Sequence, residues 1–433
     1  MNLLAPLAIL AASVAALIAA VALIRTLGQR RGWTGEVQRK GVHVAVGLYA
    51  LILPILFDDR WPVVLLILVT IAIMLWFRRP QSRATGLGAA IHSVERRSWG
   101  DILLALAIGF VFLRAGDSYI LYALPIAIIA LSDAAAALTG SSYGRRRFVI
   151  EDGVKSWEGV VTFFAVTWIL AMVMLLLLTD VPRLNVVVLS FAIALFGATV
   201  EAVSWRGLDN LFVPICVQLF LLGFLRAPPE TLALLSLAFV GAVLLIVLLA
   251  PPLGLGAHAS RAFVVAIFSF LGVAGVFGTV LPALIMLAHL AARKARPCRS
   301  GHGDLDFIAM LAGAALIWLF VGETVGPTAI NLYNMSLAGI LLAYLLMALG
   351  LNRRYVLAGY LAVLGTYIFL ISVGPSGARW AIGLPETAAA SLAIVLIALV
   401  ARSTWFDRWR APRIAAVASV VPMTAYLTQT VLA

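Results

Sequence analysis

With 433 residues, 63% of them hydrophobic and only 12% charged, and a mean hydropathy of +1.08, the chain lies outside the range of soluble globular proteins, in which about a quarter of residues are charged. The formal charge of +12 does not point to nucleic acid, because the arginines stand between apolar runs rather than in one patch, and no nucleic-acid partner is expected. The two cysteines, Cys216 in an apolar run and Cys298 in a basic loop, leave no basis for a disulfide framework or a zinc site.

In chain order, apolar runs bounded by charge or by Gly and Pro fall near 3 to 24, 41 to 57, 62 to 77, 101 to 114, 119 to 139, 159 to 179, 184 to 200 and 210 to 225. After Pro228-Pro229 they continue near 231 to 250, 261 to 275, 277 to 292, 305 to 321, 328 to 350, 355 to 373, 387 to 401 and 413 to 432. The first run has no basic residue before it and exceeds a signal-peptide core, so it reads as a retained helix. The pair between Arg261 and Ala292 is open to a second reading as a re-entrant hairpin, because Gly272, Gly275 and Gly278 interrupt it. The expected fold class is all-α, a polytopic transmembrane helical bundle of about 14 to 16 helices.

The cations alternate between sides. Arg25, Arg30, Arg31, Arg39 and Lys40 share the first loop, Arg78, Arg79, Arg83, Arg96 and Arg97 the third, and Arg145, Arg146, Arg147 and Lys155 the fifth. Through this half the opposite loops carry only Arg60, Arg114 and Arg183. Short loops rich in Lys and Arg stay in the cytosol, which places both termini outside. On that topology Asp133, Glu158, Glu201 and Asp209 all fall on the cytosolic side with Arg39, Lys40, His43 and Lys155. Helix packing would then gather them around one pocket at the membrane surface.

Asp133 is the sharpest of these signals. A carboxylate inside an apolar span is costly and functional by default, although a hydrogen bond to Ser132 or Thr139 is the structural alternative. A metal-holding role for it suits Mg²⁺, a hard cation that prefers carboxylate and phosphate oxygens. Gly140, Gly144, Arg145 and the following arginines form a glycine-broken basic loop of the kind that approaches a triphosphate, or simply a helix end with a cytosolic anchor. Lys155 is one of only three lysines in the chain, with Lys40 and Lys294. A mobile ammonium on phosphate explains that choice where arginine is otherwise used throughout. Ser156 suits a helix N-cap, and Glu158 suits either the first turn of that helix or acid–base work. His43 is a second candidate base, and Asp209 with Asn210 is either a cap or a metal contact.

Taken together, Arg39-Lys40 with His43, the Ser-Trp-Gly-Asp of 98 to 101, the stretch from Ser132 to Gly140, Tyr143-Gly144-Arg145, the Lys155 to Gly159 box, and Glu201 with Asp209-Asn210 occur in the order that resembles the phytol kinase, dolichol (polyprenol) kinase and CTP-dependent diacylglycerol kinase family. The resemblance covers about residues 35 to 225. It implies an integral-membrane kinase that transfers the terminal phosphate of CTP, or another nucleoside triphosphate, to a lipid alcohol such as phytol, a polyprenol or diacylglycerol. It further implies a divalent cation such as Mg²⁺ on Asp133 with Glu201 or Asp209, phosphate contacts from Arg39, Lys40, Gly140, Gly144, Arg145, Lys155 and Ser156, and proton abstraction by Glu158 or His43. The site would face the cytosol from the cell's inner membrane; no oligomeric state is implied.

The family is distantly similar to phosphatidate cytidylyltransferases, but Trp205-Arg206-Gly207-Leu208-Asp209-Asn210 departs from their late Asp-Arg motif, which ranks CDP-lipid synthesis second. A transporter would place charges at mid-bilayer and show inverted repeats, and neither is legible here. The expected division is a kinase-like membrane domain over 1–225 and a second membrane domain over 226–433, which bears a faint likeness to phytyl-phosphate kinases and whose notable acids are Asp304, Asp306 and Glu323.

Overall fold

In hydrocarbon every backbone N–H and C=O must be satisfied within its own segment, so apolar runs of this length become helices. The computed structural model describes residues 4–78, 99–325, 328–373 and 384–431; Arg79, Arg83, Arg96, Arg97 and Ser98 lie outside the described residues. The first helices are α1 (Leu4–Arg31), α2 (Gly35–Leu51), α3 (Arg60–Phe77), α4 (Gly100–Arg114) and α5 (Tyr119–Tyr143). A two-stranded hairpin follows, β1 (Arg147–Ile150) and β2 (Gly153–Ser156), and then α6 (Trp157–Leu178), α7 (Arg183–Val203), α8 (Asp209–Phe224) and α9 (Pro229–Leu253). The remainder comprises α10 (Ala257–Ala295), α11 (Gly303–Val325), α12 (Thr328–Leu349), α13 (Arg353–Val373), α14 (Leu384–Ala401) and α15 (Arg410–Val431). Among the described residues 10 helices are long and apolar enough to cross a membrane, and Arg60–Trp76 and Asp209–Phe224 are shorter apolar helices. The protein is an all-α, multi-pass membrane bundle, with the small hairpin as an addition that hydropathy did not signal.

The chain divides into two compact units, Met1–Ala242 and Val243–Ala433. The division falls within α9.

Unit 1 is built around α5, which packs against α2, α4, α6 and α8. Its residues from Leu124 to Ala130 are almost wholly withdrawn from the surface. Pro125 lies inside this helix and has no N–H to give the carbonyl of Leu121. Gln218 of α8 supplies the missing donor, its Nε2 lying 3.2 Å from the Leu121 oxygen and 2.7 Å from that of Val111. The turn after the proline opens into a π-helix over Ile128–Ser132. Such single π-turns inside α-helices recur at functional sites because they leave main-chain groups available to neighbours.

Helix α2 meets α5 along one stripe. Its buried residues are Lys40, His43, Gly47 and Ala50, a spacing that lines one helical face. Tyr122 of α5 donates its hydroxyl to the Ala50 carbonyl at 2.6 Å. At Gly47 the helices come so close that an added Cβ would stand 2.3 Å from that of Ala130. The apolar packing of this stripe therefore also carries two polar side chains towards the centre of α5.

In unit 2 the central helix is α12, against which α10, α11, α13, α14 and α15 pack. The 39 residues assigned to α10 would make a rod of about 58 Å, roughly twice the hydrocarbon thickness. The rod is broken at Gly275, whose φ of 64° and ψ of −171° are not helical. A Cβ on Gly278 would lie 2.3 Å from that of Ala274, so the chain bends sharply there, between the two runs that the sequence separates.

The Gly47 approach is directly testable. Gly47→Val should lower the stability of the detergent-solubilised protein by about 1–3 kcal/mol through overpacking, read as a lower midpoint of thermal unfolding, whereas Gly109→Ala, facing Ile67 at ordinary contact distance of 3.5 Å, should leave the midpoint nearly unchanged.

Candidate active site

The sequence places Asp133 in a span with no cation of its own. In the fold its partner comes from α2: Lys40 Nζ lies 2.5 Å from Asp133 Oδ2, and both side chains are 4% exposed. His43, nearly one turn further along α2, brings Nε2 to 3.3 Å from the same oxygen and 2.9 Å from the Ile129 carbonyl within the π-turn. Both neighbours of Nε2 are acceptors, so the imidazole carries its proton there and Nδ1 holds the lone pair. A buried carboxylate is stable as an ion only with close compensation, which Lys40 and His43 provide. Neither Ser132 nor Thr139 is a hydrogen-bond partner of Asp133 among the described residues; Ser132 Oγ is itself buried without a partner.

A second ion pair is set by the hairpin. The β1–β2 register pairs Phe148 with Lys155, and Lys155 Nζ reaches Glu201 Oε1 near the end of α7 at 2.7 Å, with a further bond to the Glu201 carbonyl. Burial opposes the charge of Lys155, but Glu201, and after it Asp209 and Asp133, outweigh that cost and lift its ammonium above the usual lysine range. The hairpin turn is held in place from α7's far side: Asp152 Oδ2 accepts from the Arg206 N–H at 2.8 Å, and the Arg206 guanidinium pairs with Glu151. Arg206 occupies the left-handed region at φ 53°, where a non-glycine residue is uncommon and requires such anchoring.

Asp209 is the first residue of α8 and half-buried. Its carboxylate has no hydrogen bond or ion pair among the described residues, yet its charge acts on Lys155, Arg39, His43 and Glu201. Arg39 is paired with Glu36 at 2.6 Å and feels Asp133 and Asp209 as well. Residues far apart in sequence thus share one electrostatic field: Arg39, Lys40, His43, Asp133, Lys155, Glu201 and Asp209. Asn210 turns away to donate to the Gly100 carbonyl at 2.9 Å, and Asp101 of the 98 to 101 motif pairs with Arg78, whose guanidinium also covers Trp99 at 4.5 Å.

The glycine-broken loop is tied to its own chain. Gly140 lies inside α5, and the Gly144 N–H is spent on the Gly140 carbonyl at 3.2 Å. The Arg146 N–H donates to both oxygens of Glu158, at 3.0 and 3.3 Å. An acid of the chain itself therefore holds this loop, and Glu158 is engaged as its clamp. The side chains of Arg145, Arg146 and Arg147 remain exposed. Ser156 caps α6, its Oγ accepting from the Gly159 N–H at 3.1 Å. Gly140, Gly144 and Gly159 close around it, since a Cβ on any of the three would approach Ser156 Oγ to 2.9, 2.9 or 3.2 Å. These three glycines allow α5, the loop and α6 to meet, which in turn positions the hairpin and Lys155.

Among the described residues no three His, Cys, Asp or Glu side chains converge as a ready-made metal cage. Asp133 and Glu201 each hold a lysine, and Asp209 is the carboxylate left over. Sequence reasoning missed Glu36, the π-turn carbonyl of Ile129 and the Glu151–Asp152–Arg206 anchor. Of these only the π-turn had a visible cue, Pro125 three residues before it.

Fold and site together define a multi-pass membrane protein with a buried cluster of ion pairs where helix ends meet a short hairpin. No family model matches the chain, and no solved structure matches it. The phytol kinase of Synechocystis sp. is 32% identical to it over 184 residues, which is 42% of this chain and 76% of that enzyme. The chain belongs to the phytol kinase family.

The Lys40–Asp133 pair makes a quantitative prediction. Lys40→Met strands a buried carboxylate and should cost about 3–5 kcal/mol, whereas Lys40→Met combined with Asp133→Asn should regain most of that loss. Unfolding midpoints of the two single variants and the double variant measure the coupling, and simple additivity would contradict the pairing.

Proposed function

We propose that the protein is an integral-membrane kinase that transfers the terminal phosphate of CTP, or another nucleoside triphosphate, to the hydroxyl of a lipid alcohol of the phytol or polyprenol type. Its family supports the reaction class. The observation that carries the site assignment is the set of an ionised Asp133 held between Lys40 and His43, a charged Lys155 on Glu201, and Asp209, unpaired among the described residues, within the same field.

Phosphoryl transfer needs chiefly positioning and charge neutralisation. Arg39, Lys40 and Lys155 face Glu36, Asp133, Glu201 and Asp209, which leaves one carboxylate without a cation. That balance fits a divalent cation such as Mg²⁺ arriving with the nucleotide, since Mg²⁺ takes one or two protein carboxylates and fills its remaining positions with phosphate oxygens and water. Asp209 would hold it, joined by Asp133 or Glu201 when a lysine turns from carboxylate to phosphate. When bound, the ion neutralises charge on the transferring phosphate.

Lys155 and Lys40 are poised to exchange a carboxylate for a phosphate oxygen, an exchange that a flexible ammonium makes more readily than a planar guanidinium. His43 is the proposed base: with Nε2 fixed by the Ile129 carbonyl and Asp133, Nδ1 is the acceptor for the hydroxyl proton, and the Asp133 carboxylate offsets the imidazolium that results. Glu158, engaged by the 145–147 loop, orders the hairpin instead. The lipid enters laterally from the bilayer. The cytosol faces this site and both termini lie outside, as the distribution of arginine implies, in the inner membrane of the cell.

The test is incubation of the purified protein with Mg²⁺, γ-labelled CTP or ATP, and a panel of phytol, a polyprenol and diacylglycerol. Label in the lipid is expected; a CDP-lipid product, or no transfer at all, would overturn the kinase reading. Asp209→Asn breaks no ion pair and should lower turnover about a hundredfold or more, the effect of a few kcal/mol on the barrier, with the unfolding midpoint unchanged. Chelation of divalent cations should abolish transfer.

A further inference from the structure

Unit 2 contains a polar cluster of its own, assembled from residues that lie far apart along the chain. His289, on the second half of α10, directs Nε2 to Asp304 Oδ1 at 2.8 Å. The other oxygen of Asp304 takes Arg293 Nη1 at 2.5 Å, and Arg293 also donates to the Leu253 carbonyl. A carboxylate that holds an arginine only accepts, so the proton of His289 is on Nε2 and Nδ1 is the open nitrogen. The ring is fixed flat on Phe307, with centroids 4.0 Å apart and planes 5° from parallel, and edge-on to Tyr344 at 5.3 Å.

Three polar atoms in this cluster are buried and have no hydrogen-bond partner among the described residues: His289 Nδ1, Tyr344 Oη and one guanidinium nitrogen, Nη1, of Arg410. The residues that bear them are 4%, 0% and 3% exposed. They come from three helices, α10, α12 and α15. Arg410 acts electrostatically on both His289 and Tyr344, so the three groups belong to one place. The rest of Arg410 is fixed, Nε on the Phe406 carbonyl at 3.1 Å and Nη2 on that of Pro297 at 3.3 Å. It has no carboxylate partner among the described residues, because the nearby Asp407 is taken by Arg296 at 2.8 Å.

Native interiors rarely leave even one such group unpaired. Here three of them coincide, two of them donors, and the cluster has a surplus cation, Arg293 and Arg410 against Asp304. An apolar ligand would satisfy none of the three, and a cation would be repelled. A compact oxyanion that keeps one proton satisfies all of them, its bare oxygens accepting from the two donors and its O–H donating to Nδ1.

We propose that unit 2 carries a binding site for a phosphate monoester, formed by Arg410, Tyr344 and His289. Arg410 Nη1 and the Tyr344 hydroxyl each donate to a phosphate oxygen. His289 Nδ1 shares the proton of the phosphate monoanion, with Asp304 behind the ring to balance the imidazolium. Arg293 is a positioning residue, since its guanidinium is spent on Asp304 and Leu253. The phosphate is either the head of a lipid or a free anion, and the site stands independently of the reaction proposed for unit 1.

The experiment uses the full chain in detergent, titrated calorimetrically with dodecyl phosphate, with inorganic phosphate and with dodecanol. Saturable binding of dodecyl phosphate with none of dodecanol is expected if the source is a lipid; equal binding of inorganic phosphate identifies a free anion, and either result supports the site. Tyr344→Phe keeps the ring and removes only an unpaired hydroxyl, so it should fold normally and bind about tenfold more weakly, the effect of one lost hydrogen bond to a charged group. Arg410→Gln should weaken binding further, and if that variant fails to fold, Tyr344→Phe decides alone. No saturable binding of either phosphate, or unchanged affinity in Tyr344→Phe, overturns the proposal. Asp209→Asn should leave this binding intact, so failure of the kinase reading and failure of this one give different results.

Discussion

Unit 1 is arranged around the burial of one negative charge. Asp133 can remain ionised inside α5 only because Lys40 and His43 approach it from α2, and they do so because the face of α2 that carries them also carries Gly47 and Ala50. Apolar packing and charge compensation are therefore the same contact. The close approach at Gly47 and Ala130 brings the backbones together, and the ion pair lies at the cluster end of that stripe. An isolated buried carboxylate would take up a proton instead; the pairing preserves a charge that can meet a cation or a proton.

The second layer of organisation is the way the hairpin delivers Lys155. No apolar run predicts two strands of four residues, and so short a pair does not stand alone in water. It is held at one end by Glu158 across the loop and by Gly140, Gly144 and Gly159 around Ser156, and at the other by Arg206 on Glu151 and Asp152. Several residues of the sequence's phosphate-binding motifs thus also form the framework that aims one ammonium at Glu201. The same residue types serve both purposes, since a glycine that admits a phosphate also admits a neighbouring helix, and an amide that binds a phosphate also binds a carboxylate.

Unit 2 shows the same economy with a different outcome. Its central helix α12 brings Tyr344 against His289 and Phe307, and the start of α15 brings Arg410. Among the described residues, the cluster of unit 1 closes most of its charges into pairs and leaves a carboxylate over, whereas the cluster of unit 2 leaves over a cation and two neutral polar atoms. A surplus of the first sign attracts cations, and a surplus of the second attracts anions.

The sequence alone determined the membrane class, the helical architecture and an interruption somewhere between Gly272 and Gly278, because hydropathy and glycine act locally and the bilayer leaves helices as the means of satisfying the backbone; the structure put that break at Gly275. The sequence also made Asp133 conspicuous, since a charge in an apolar run stands out wherever the run lies, whereas Glu36, Glu151 and Asp152 lie among polar neighbours and gave no such signal. Only the tertiary structure decided who pairs with whom: Lys40 with Asp133 across 93 positions, Lys155 with Glu201 across 46, and Asp209 with none among the described residues. It also decided that Glu158 serves its own loop, and that His289, Tyr344 and Arg410 meet at all. Pairing is a property of helix faces brought together by packing, and a period of 3.6 residues in one helix carries no information about which face of another it will meet.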